Sequence, residues 1–327
     1  MCTAISLMSS QGESYFGRTM DFSYPLEAGL YMVPKNHKWR SLATGKRYID
    51  AYAFMAIGQE NQGILAFFDG VNERGFAAAA LYFKDYAFYD LPRSSKESVA
   101  SLDFLHYILG NCGSVEDLRN LLKNVQIAGA EDPVTKTVAP LHWFACDRSG
   151  KSVVIEQTKR GLEIFNNRIG VLANAPDFRW QMTNLRNYAE LSPAQHEEVS
   201  WGNLLLSPFG QGAGSRLMPG GYTSPERFTR TAFLKTHVPP PNSRVESVMS
   251  CFHIMNSVTI PKGIVLTEKG SWDYTLYTAF INTNSCEYYF KTYENDQIIR
   301  ANLRDYIYAP GTQTVLLGSL VRPLLFE

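Results

Sequence analysis

The 327-residue chain has little of what marks several large classes of protein. Lysine plus arginine and aspartate plus glutamate number 31 each, so the net charge is zero. This balance, without a basic patch that interleaves with aromatic residues, gives no support to nucleic acid as a partner. No apolar run approaches the roughly 20 residues that a membrane span needs, and the N-terminus lacks the charged and apolar regions of a signal peptide. We therefore expect a cytoplasmic protein that binds neither nucleic acid nor a membrane.

Cysteine is scarce and scattered, and this bears on disulfides and metals. The five cysteines are odd in number and form no C-x-x-C pair. The six histidines show no H-x-x-x-H spacing, so the sequence predicts no zinc site, no other metal and no cofactor. A serine hydrolase is disfavoured as well, because no G-x-S-x-G motif occurs. Four of the cysteines read as small buried hydrophobes in a reducing compartment; these are Cys112, Cys146, Cys251 and Cys286.

The remaining cysteine, Cys2, is the most informative residue because it directly follows the initiator methionine. Removal of Met1 would leave it with both a thiol and a free α-amine. A free thiol titrates near ~8.5 and an α-amine near ~7.7–8, so the amine can take the thiol proton near neutral pH. One residue would then supply both nucleophile and base. The alternative is an ordinary residue at a frayed terminus.

Two β-competent runs, residues 2–8 and 15–22, flank a polar turn and predict a hairpin. The hairpin would bring Arg18 and Asp21 close to Cys2, where the guanidinium favours a thiolate and the carboxylate holds the amine. Because Arg18 and Asp21 are three residues apart, a regular strand would place them on opposite faces. Both can serve Cys2 only if the strand bulges or ends there. The alternative is a surface pair that flanks an edge strand.

Two further polar residues lie at the ends of predicted elements. Asn174 follows the apolar run 169–173, where a buried strand ends; its alternative role is to cap a turn. Arg227 lies in the first turn of a helix that Ser224 at the N-cap and Pro225 at N1 would open. A cation there is unfavourable with the helix dipole, which indicates a local partner, although surface arginines tolerate the position.

A series of motifs runs through the chain in order. It resembles the choloylglycine hydrolase family of N-terminal nucleophile (Ntn) hydrolases, which contains bile salt hydrolases and penicillin V acylases. The similarity covers residues 2 to about 295, and the last thirty residues match poorly. The motifs are Met1-Cys2-Thr3, Phe16-Gly17-Arg18-Thr19-Met20-Asp21-Phe22, Asp69-Gly70-Val71-Asn72-Glu73-Arg74-Gly75, Leu81-Tyr82-Phe83, Val171-Leu172-Ala173-Asn174-Ala175-Pro176, Ser207-Pro208-Phe209-Gly210-Gln211-Gly212-Ala213-Gly214, Ser224-Pro225-Glu226-Arg227-Phe228 and Ile260-Pro261-Lys262-Gly263.

The resemblance also bears on the architecture. Strand blocks that alternate with helix pairs, without βαβ spacing, predict an α+β fold with antiparallel sheets. The resemblance sharpens this to the four-layer αββα sandwich of Ntn hydrolases, in a single domain over residues 2–327 once Met1 is removed. It further implies a homotetramer, in which residues 188–223 would form part of an extended inter-subunit segment.

The same resemblance implies a role for each of the polar residues near the terminus. Cys2 would be the nucleophile and its amine the base. Arg18 and Asp21 would bracket that terminus, and Arg227 would lie close to the nucleophile. The partner of this site would be a small-molecule acyl amide.

Two donors would complete an oxyanion hole for the tetrahedral intermediate, the side-chain amide of Asn174 and the backbone N–H of Tyr82. Position 82 also bears on the substrate, since bile salt hydrolases tend to carry Asn there and penicillin V acylases tend to carry Tyr. Tyr82, with Phe22 and Tyr24, would offer an aromatic wall to a phenoxy ring. This favours cleavage of the side-chain amide of penicillin V. One alternative is hydrolysis of conjugated bile acids, and another is a non-catalytic binding protein that retains Met1.

Overall fold

The structure, a computed structural model, describes residues 1–24, 26–92, 96–132, 135–308 and 311–320. The described residues form 21 strands and five α-helices. The strands are β1 (Cys2–Met8), β2 (Ser14–Phe22), β3 (Gly29–Val33), β4 (Lys38–Arg40), β5 (Arg47–Ile49), β6 (Phe54–Asn61), β7 (Ile64–Asn72), β8 (Ala77–Tyr82), β9 (Glu97–Ala100), β10 (Val125–Ala128), β11 (Leu141–Cys146), β12 (Ser152–Thr158), β13 (Gly161–Asn166), β14 (Val171–Leu172), β15 (Val199–Trp201), β16 (Leu204–Leu206), β17 (Val265–Leu266), β18 (Trp272–Asn282), β19 (Glu287–Thr292), β20 (Asn295–Asn302) and β21 (Val315–Ser319). The helices are α1 (Phe104–Asn111), α2 (Val115–Leu122), α3 (Phe178–Asn184), α4 (Ser224–His237) and α5 (Arg244–Asn256).

In the first sheet, the N-terminal strand β1 has a neighbouring strand on each side. Its strand order is β14-β1-β2-β18-β19-β20, with β17 paired to the start of β18. β1 and β2 form the predicted hairpin, in which Cys2 lies opposite Met20. β18 approaches β2 so closely that a Cβ at Gly17 would lie 2.2 Å from a ring carbon of Phe280. Only glycine fits between β2 and that ring, so the close packing of β18 requires glycine at position 17.

The second sheet has eight strands in the order β13-β12-β11-β8-β7-β6-β3-β21. Its strands are antiparallel, and β8 pairs with β11 so that Tyr82 lies opposite Leu141. Four consecutive alanines, Ala77–Ala80, form most of β8, and they are almost completely buried. These small side chains let the neighbouring layers come close to β8, beside the end of the strand where Tyr82 lies.

Helices cover both sheets, so the sandwich has four layers. Apolar residues of α4 and α5 pack on the first sheet, in a core that also joins the facing sides of the two sheets. Residues of α1 and α2 pack with the outer side of the second sheet in a separate cluster. This confirms the α+β fold with antiparallel sheets that the pattern predicted, in the αββα arrangement that the family resemblance implied. Among the described residues, no helix is both long enough and apolar enough to traverse a lipid bilayer.

The start of α4 differs from the sequence prediction. The N-cap of α4 is Thr223, not Ser224, because Thr223 forms a capping box with the side chain of Glu226. Ser224 is therefore free of the capping role, and its Oγ accepts a hydrogen bond from the N–H of Asn174.

The single domain over residues 2–327, the cytoplasmic location and the homotetramer stay predictions. Residues 321–327 lie outside the described part of the chain.

Candidate active site

The thiol of Cys2 lies between the two sheets and is almost fully buried. Cys2 pairs with Met20, and Ala4 with Arg18, so these side chains share the sheet face that points to the second sheet. Nη2 of Arg18 donates to Sγ of Cys2. Nη1 of Arg18 donates across the interface to the carbonyls of Phe68, at 3.0 Å, and Ala80, at 2.8 Å. The second sheet thus fixes the guanidinium that contacts the thiol.

Acidic groups surround the buried guanidinium of Arg18. Its Nε lies 4.0 Å from Oδ2 of Asp69, and both side chains are buried. Burial alone lowers the pKa of Arg18, but the charges of Cys2, Tyr277 and Asp69 outweigh it and raise the pKa overall. A fixed guanidinium therefore lies against the sulfur of Cys2.

Asn174 connects the N-terminal strand, helix α4 and the end of β8. Its Oδ1 accepts hydrogen bonds from the backbone N–H of Cys2 and from Nη2 of Arg227, each at 2.7 Å. Its Nδ2 donates to the carbonyl of Tyr82 at 2.8 Å. Within the described part of the chain, the second N–H of this amide meets no acceptor. The group can therefore donate to a further oxygen beside Cys2.

The backbone N–H and C=O of Tyr82 face the side chain of Asn174. The N–H of Phe83 donates to the carbonyl of Pro140 at 2.7 Å. Because hydrogen-bonded and non-hydrogen-bonded pairs alternate in an antiparallel ladder, the Tyr82–Leu141 pair is non-hydrogen-bonded. The N–H and C=O of Tyr82 therefore point away from β11, towards Asn174. The Tyr82 ring itself is 41% exposed.

Arg227 approaches Cys2 from the opposite side of the first sheet. Its Nη1 donates to the carbonyl of Cys2 at 2.6 Å and also to Oγ1 of Thr3. Burial lowers the pKa of Arg227, and the charges of Asp21 and Cys2 oppose that shift. The first turn of α4 thus carries a cation whose partners are the backbone of Cys2 and the amide of Asn174, the local partner that the sequence indicated.

Asp21 lies on this second face, apart from the thiol. Its backbone N–H donates to the carbonyl of Met1 at 2.9 Å, and its Oδ1 accepts from Oγ1 of Thr275 at 2.6 Å. Burial raises the pKa of Asp21, against the opposing charge of Arg227. Its Oδ2 lies 3.9 Å from Nη1 of Arg227. The carboxylate is therefore beside the Met1–Cys2 peptide, while the N–H of Cys2 is bound by Asn174.

The expected bulge or end of β2 between Arg18 and Asp21 does not occur. β2 keeps a regular register with β1 along its length, and it continues to Phe22. The irregular register is in the partner strand, between Thr275 and Tyr277 of β18. A regular strand still brings both residues to Cys2, because Arg18 contacts the side chain from one face and Asp21 reaches the backbone from the other.

Met1 is held at the edge of this site. Its amine donates to the carbonyl of Asp21 and to Oδ2 of Asp273, the latter at 3.1 Å. The Met1 side chain is 24% exposed. Sequence reasoning missed Asp273, and it missed Asp69 as a partner of Arg18. Asp69 belongs to one of the family motifs, but nothing in the sequence pairs it with Arg18. For Asp273 the sequence shows only an acidic residue near the start of a long β-competent run.

The predicted aromatic wall is brought together only in part. The rings of Phe22 and Tyr24 meet edge to face with centroids 6.1 Å apart, and Tyr24 is half-exposed. No ring contact joins Tyr82 to either of them among the residues that the structure describes.

One cluster away from Cys2 has metal-ligand chemistry. The ligand atoms of His37, Asp50 and His106 lie within 4.8 Å of one another. Each of these side chains already has a protein partner: Nε2 of His106 meets Asp50 at 2.9 Å, Nε1 of Trp39 donates to Asp50 at 3.0 Å and Nδ1 of His37 meets the carbonyl of Thr312. The wide separation of these residues in sequence gave no signal for the cluster. The absence of a metal and of a cofactor stays a prediction.

The family model of linear amide C–N hydrolases, choloylglycine hydrolase family, matches residues 2–307. The chain belongs to this family. It is therefore a hydrolase of linear amide C–N bonds with the fold of the Ntn hydrolases, as the motif series predicted.

The relatives of this choloylglycine hydrolase family member differ in how similar they are. A bile salt hydrolase/transferase of Clostridium perfringens is 35% identical over 301 residues, which cover 91% of each chain. A penicillin V acylase of Pectobacterium atrosepticum is 23% identical, over 94% of this chain and 82% of that protein.

Solved structures show the same order. The R18L variant of conjugated bile acid hydrolase from Clostridium perfringens has a TM-score of 0.92 and 32% identity, with 100% of this chain and 99% of that chain covered. Penicillin V acylase from Agrobacterium tumefaciens has a TM-score of 0.79 and 20% identity, covering 98% of this chain and 92% of that one; that likeness shows the fold alone. The comparisons favour the bile acid alternative over the penicillin V prediction drawn from Tyr82.

Proposed function

We propose that the protein hydrolyses the amide bond of conjugated bile acids, with Cys2 as the nucleophile. The contact between Arg18 and Sγ of Cys2 carries the chemical part of this proposal. It places a buried cation on the sulfur that would attack. Among the five cysteines, Cys2 alone would gain an adjacent α-amine once Met1 is removed.

The chemistry follows from the positions of the donors around Cys2. Removal of Met1 frees the amine, which stays near Oδ1 of Asn174 because the Cys2 nitrogen is already 2.7 Å from it. The amine takes the thiol proton, and the sulfur attacks the amide carbon to form an S–C bond. The resulting oxyanion accepts from the free N–H of Asn174 and from the N–H of Tyr82, donors that are in place before reaction.

Collapse of this intermediate breaks the C–N bond. The leaving amine takes the proton from the Cys2 ammonium, and the acyl group remains on the sulfur. Water then adds to the thioester while the Cys2 amine accepts its proton. Breakage of the C–S bond releases the acid and regenerates the thiol.

Sequence identity supports the choice of acyl group. The bile salt hydrolase is 35% identical to this chain and the penicillin V acylase 23%. The ring of Tyr82, which motivated the penicillin V prediction, is 41% exposed. Among the described residues, no other aromatic ring contacts the ring of Tyr82. The Tyr82 side chain is therefore a weak basis for predicting the substrate.

The test compares kcat/KM for glycocholate, taurocholate and phenoxymethylpenicillin, with the intact mass of the protein recorded first. We expect faster turnover of a bile salt and a mass that lacks one methionine. Faster turnover of phenoxymethylpenicillin would overturn the choice of substrate and restore the acylase prediction. An active protein that retains Met1 would overturn the α-amine as base.

Substitution of the nucleophile separates the chemistry from the substrate. Cys2→Ala should abolish turnover of all three amides, and Cys2→Ser should react slowly because an alkoxide is far harder to form than a thiolate. Cys251→Ala is the matched control, since Cys251 is also a buried free thiol but lies within α5, where its nitrogen is part of a peptide bond. Turnover by Cys2→Ala would contradict the proposed mechanism.

A further inference from the structure

A buried histidine lies between the two segments that carry the oxyanion donors. Nε2 of His142 faces the carbonyl of Ala173, the residue before Asn174, at 2.9 Å. The His142 ring also stacks on the ring of Phe83, the residue after Tyr82, with centroids 4.1 Å apart and planes 10° apart. One imidazole therefore contacts the immediate neighbours of both donors.

Glu156 fixes the orientation of that ring. Its Oε1 lies 3.1 Å from Nδ1 of His142, and its carboxylate also accepts from the N–H of Phe178, at 3.0 Å to Oε1. Both nitrogens of the ring therefore have a fixed partner, Glu156 at Nδ1 and the carbonyl of Ala173 at Nε2. A 180° flip of the ring would lose both hydrogen bonds, and a rotation out of its plane would also lose the stacking on Phe83.

Stability alone is a weak reason for such a pair. His142 and Glu156 are both fully buried, and replacing both partners of a buried hydrogen bond by apolar groups of the same shape can be nearly neutral or stabilising. Position offers a stronger reason. The backbone of Asn174 is held at its N–H by Oγ of Ser224, at 2.9 Å, and at the preceding carbonyl by His142. Displacement of a reacting group by ~1 Å can cost about 10²-fold in rate.

We propose that His142 and Glu156 are positioning residues for the oxyanion hole. Glu156 orients the imidazole, and the imidazole sets the distance between the backbone before Asn174 and the backbone after Tyr82. The inference rests on the proposed function, since it assigns Asn174 and Tyr82 to the intermediate formed on Cys2.

The first test removes the hydrogen bond to Ala173 and keeps the stacked ring. The double variant His142→Phe, Glu156→Gln leaves no unpaired buried charge, because the glutamine is neutral and can still accept from Phe178. We expect kcat to fall by about 10- to 100-fold with KM little changed, as for a group that acts in the transition state. The rate of Cys2 alkylation should stay the same, because the contact with Arg18 is untouched.

A second double variant, His142→Gln with Glu156→Gln, should restore most of kcat, since the glutamine amide can place an N–H near the carbonyl of Ala173. A merely structural role would show no such rescue. If the first double variant fails to fold, the single variant Glu156→Gln tests the positioning role instead. It keeps the acceptor for Phe178, and we expect a smaller loss of kcat with unchanged KM.

The matched control is another buried histidine–carboxylate pair, His106 and Asp50, which meets at 2.9 Å beside Phe54 on the outer side of the second sheet. His106→Phe with Asp50→Asn should lower the melting temperature and leave kcat unchanged. An equal loss of kcat in this control would overturn the inference, because it would reduce the effect of His142 to general destabilisation.

A readout that needs no turnover keeps the inference separate from the proposed function. In protein labelled with ¹⁵N-asparagine, the side-chain amide signal of Asn174 is identified by its loss in Asn174→Ala. It should shift in the His142→Phe, Glu156→Gln variant and not in the control. An unmoved signal in the variant would overturn the positioning role. If the signal shifts in the variant but the unmodified protein cleaves no amide, only the proposed function is overturned.

Discussion

Two buried arginines meet Cys2 from opposite faces of one strand pair, and they meet different atoms. Arg18 contacts the sulfur, and Arg227 contacts the carbonyl of the same residue. The side chain of Arg18 is held by carbonyls of the second sheet, whereas Arg227 is carried by helix α4. Loss of Arg18 should therefore change the reactivity of the thiol, while loss of Arg227 should displace the backbone that carries it.

Arg18→Ala should slow the alkylation of Cys2 by iodoacetamide at neutral pH. A hydrogen bond to a charged group contributes ~1.5–3 kcal/mol, so we expect a reduction of about tenfold or more. Arg230→Ala is the control, because Arg230 is also a buried arginine whose guanidinium donates to carbonyls, those of Ser257, Pro219 and Gly221. Equal alkylation rates for Arg18→Ala and the unmodified protein, across pH, would leave Arg18 with a structural role only.

Asn174→Ala should lower kcat by about 10²–10³-fold, the usual cost of one lost oxyanion donor. The alanine also removes the acceptor for the Cys2 nitrogen, so Asn174→Asp is compared with it. Aspartate keeps an oxygen for Cys2 and Arg227 but has no N–H to donate. Steady-state kinetics should show a large loss of kcat in both variants. A loss confined to KM would mean that Asn174 holds the substrate and does not stabilise the intermediate.

At the scale of elements, sequence pattern predicted local structure well. The β1–β2 hairpin follows from alternation around a turn at Gly12, whose φ of 79° lies in the left-handed region. The error at the start of α4 arose because Thr223 and Ser224 are adjacent and both suit an N-cap. Only the spacing of Glu226, three residues after Thr223, decides between them.

The sequence pattern could not predict which residues of distant strands contact the site residues. The hydrogen bond from Thr275 to Asp21 joins residues 254 positions apart. It depends on the register between β2 and β18, which includes an irregularity. Periodicity shows which face of a strand is buried and does not show which strand lies beside it. Asp69 and Asp273 were missed for the same reason. The roles of Asn174 and Arg227 came from the family resemblance, and local pattern supported only their places at the ends of predicted elements.

Asp103, the N-cap residue of α1, allows the effect of burial on a carboxyl pKa to be tested. Burial raises the pKa of Asp103, just before α1, to about 6 from 3.8, against the hydrogen bond from Leu42 N–H. Below about pH 4 the carboxyl is protonated in folded and unfolded chains alike. As the pH rises to about 6 the unfolded chain ionises first, so the stability that this carboxyl contributes is lost over that interval.

Asp103→Asn should therefore raise the melting temperature more at neutral pH than at about pH 4, because asparagine keeps an acceptor for Leu42 and does not ionise. Calorimetry at the two pH values measures the difference. Glu190→Gln, an exposed carboxyl, should change the melting temperature equally little at both. A gain for Asp103→Asn that is independent of pH would contradict the raised pKa.

At the scale of the whole molecule, one hairpin exposes apolar side chains that a monomer rarely leaves bare. β15 and β16 pair with each other within the segment 188–223, which the family resemblance assigns to subunit contacts. Its exposed apolar residues, with the exposed fraction of each, are Val199 (53%), Trp201 (75%), Leu204 (61%), Leu205 (59%) and the neighbouring Phe209 (102%).

Trp201→Glu with Leu205→Glu should dissociate the predicted homotetramer, since charges would replace the apolar surface that subunits would bury. Sedimentation velocity should show a tetramer for the unmodified protein and smaller species for the variant. Val245→Glu is the control, because Val245 is 75% exposed on α5, outside the segment. A monomeric unmodified protein would contradict the tetramer prediction.

The hydrogen bonds from Arg18 to Phe68 and Ala80 also affect how activity is lost on heating. Many enzymes inactivate before they melt, because their sites lie on the least stable loops. Here the residue that contacts the thiol belongs to one sheet and is held by the backbone of the other. Thermal inactivation should therefore coincide with separation of the sheets. Residual turnover and near-ultraviolet circular dichroism, followed on one sample during a temperature ramp, should fall together, and inactivation well below the dichroism midpoint would show that the site loosens alone.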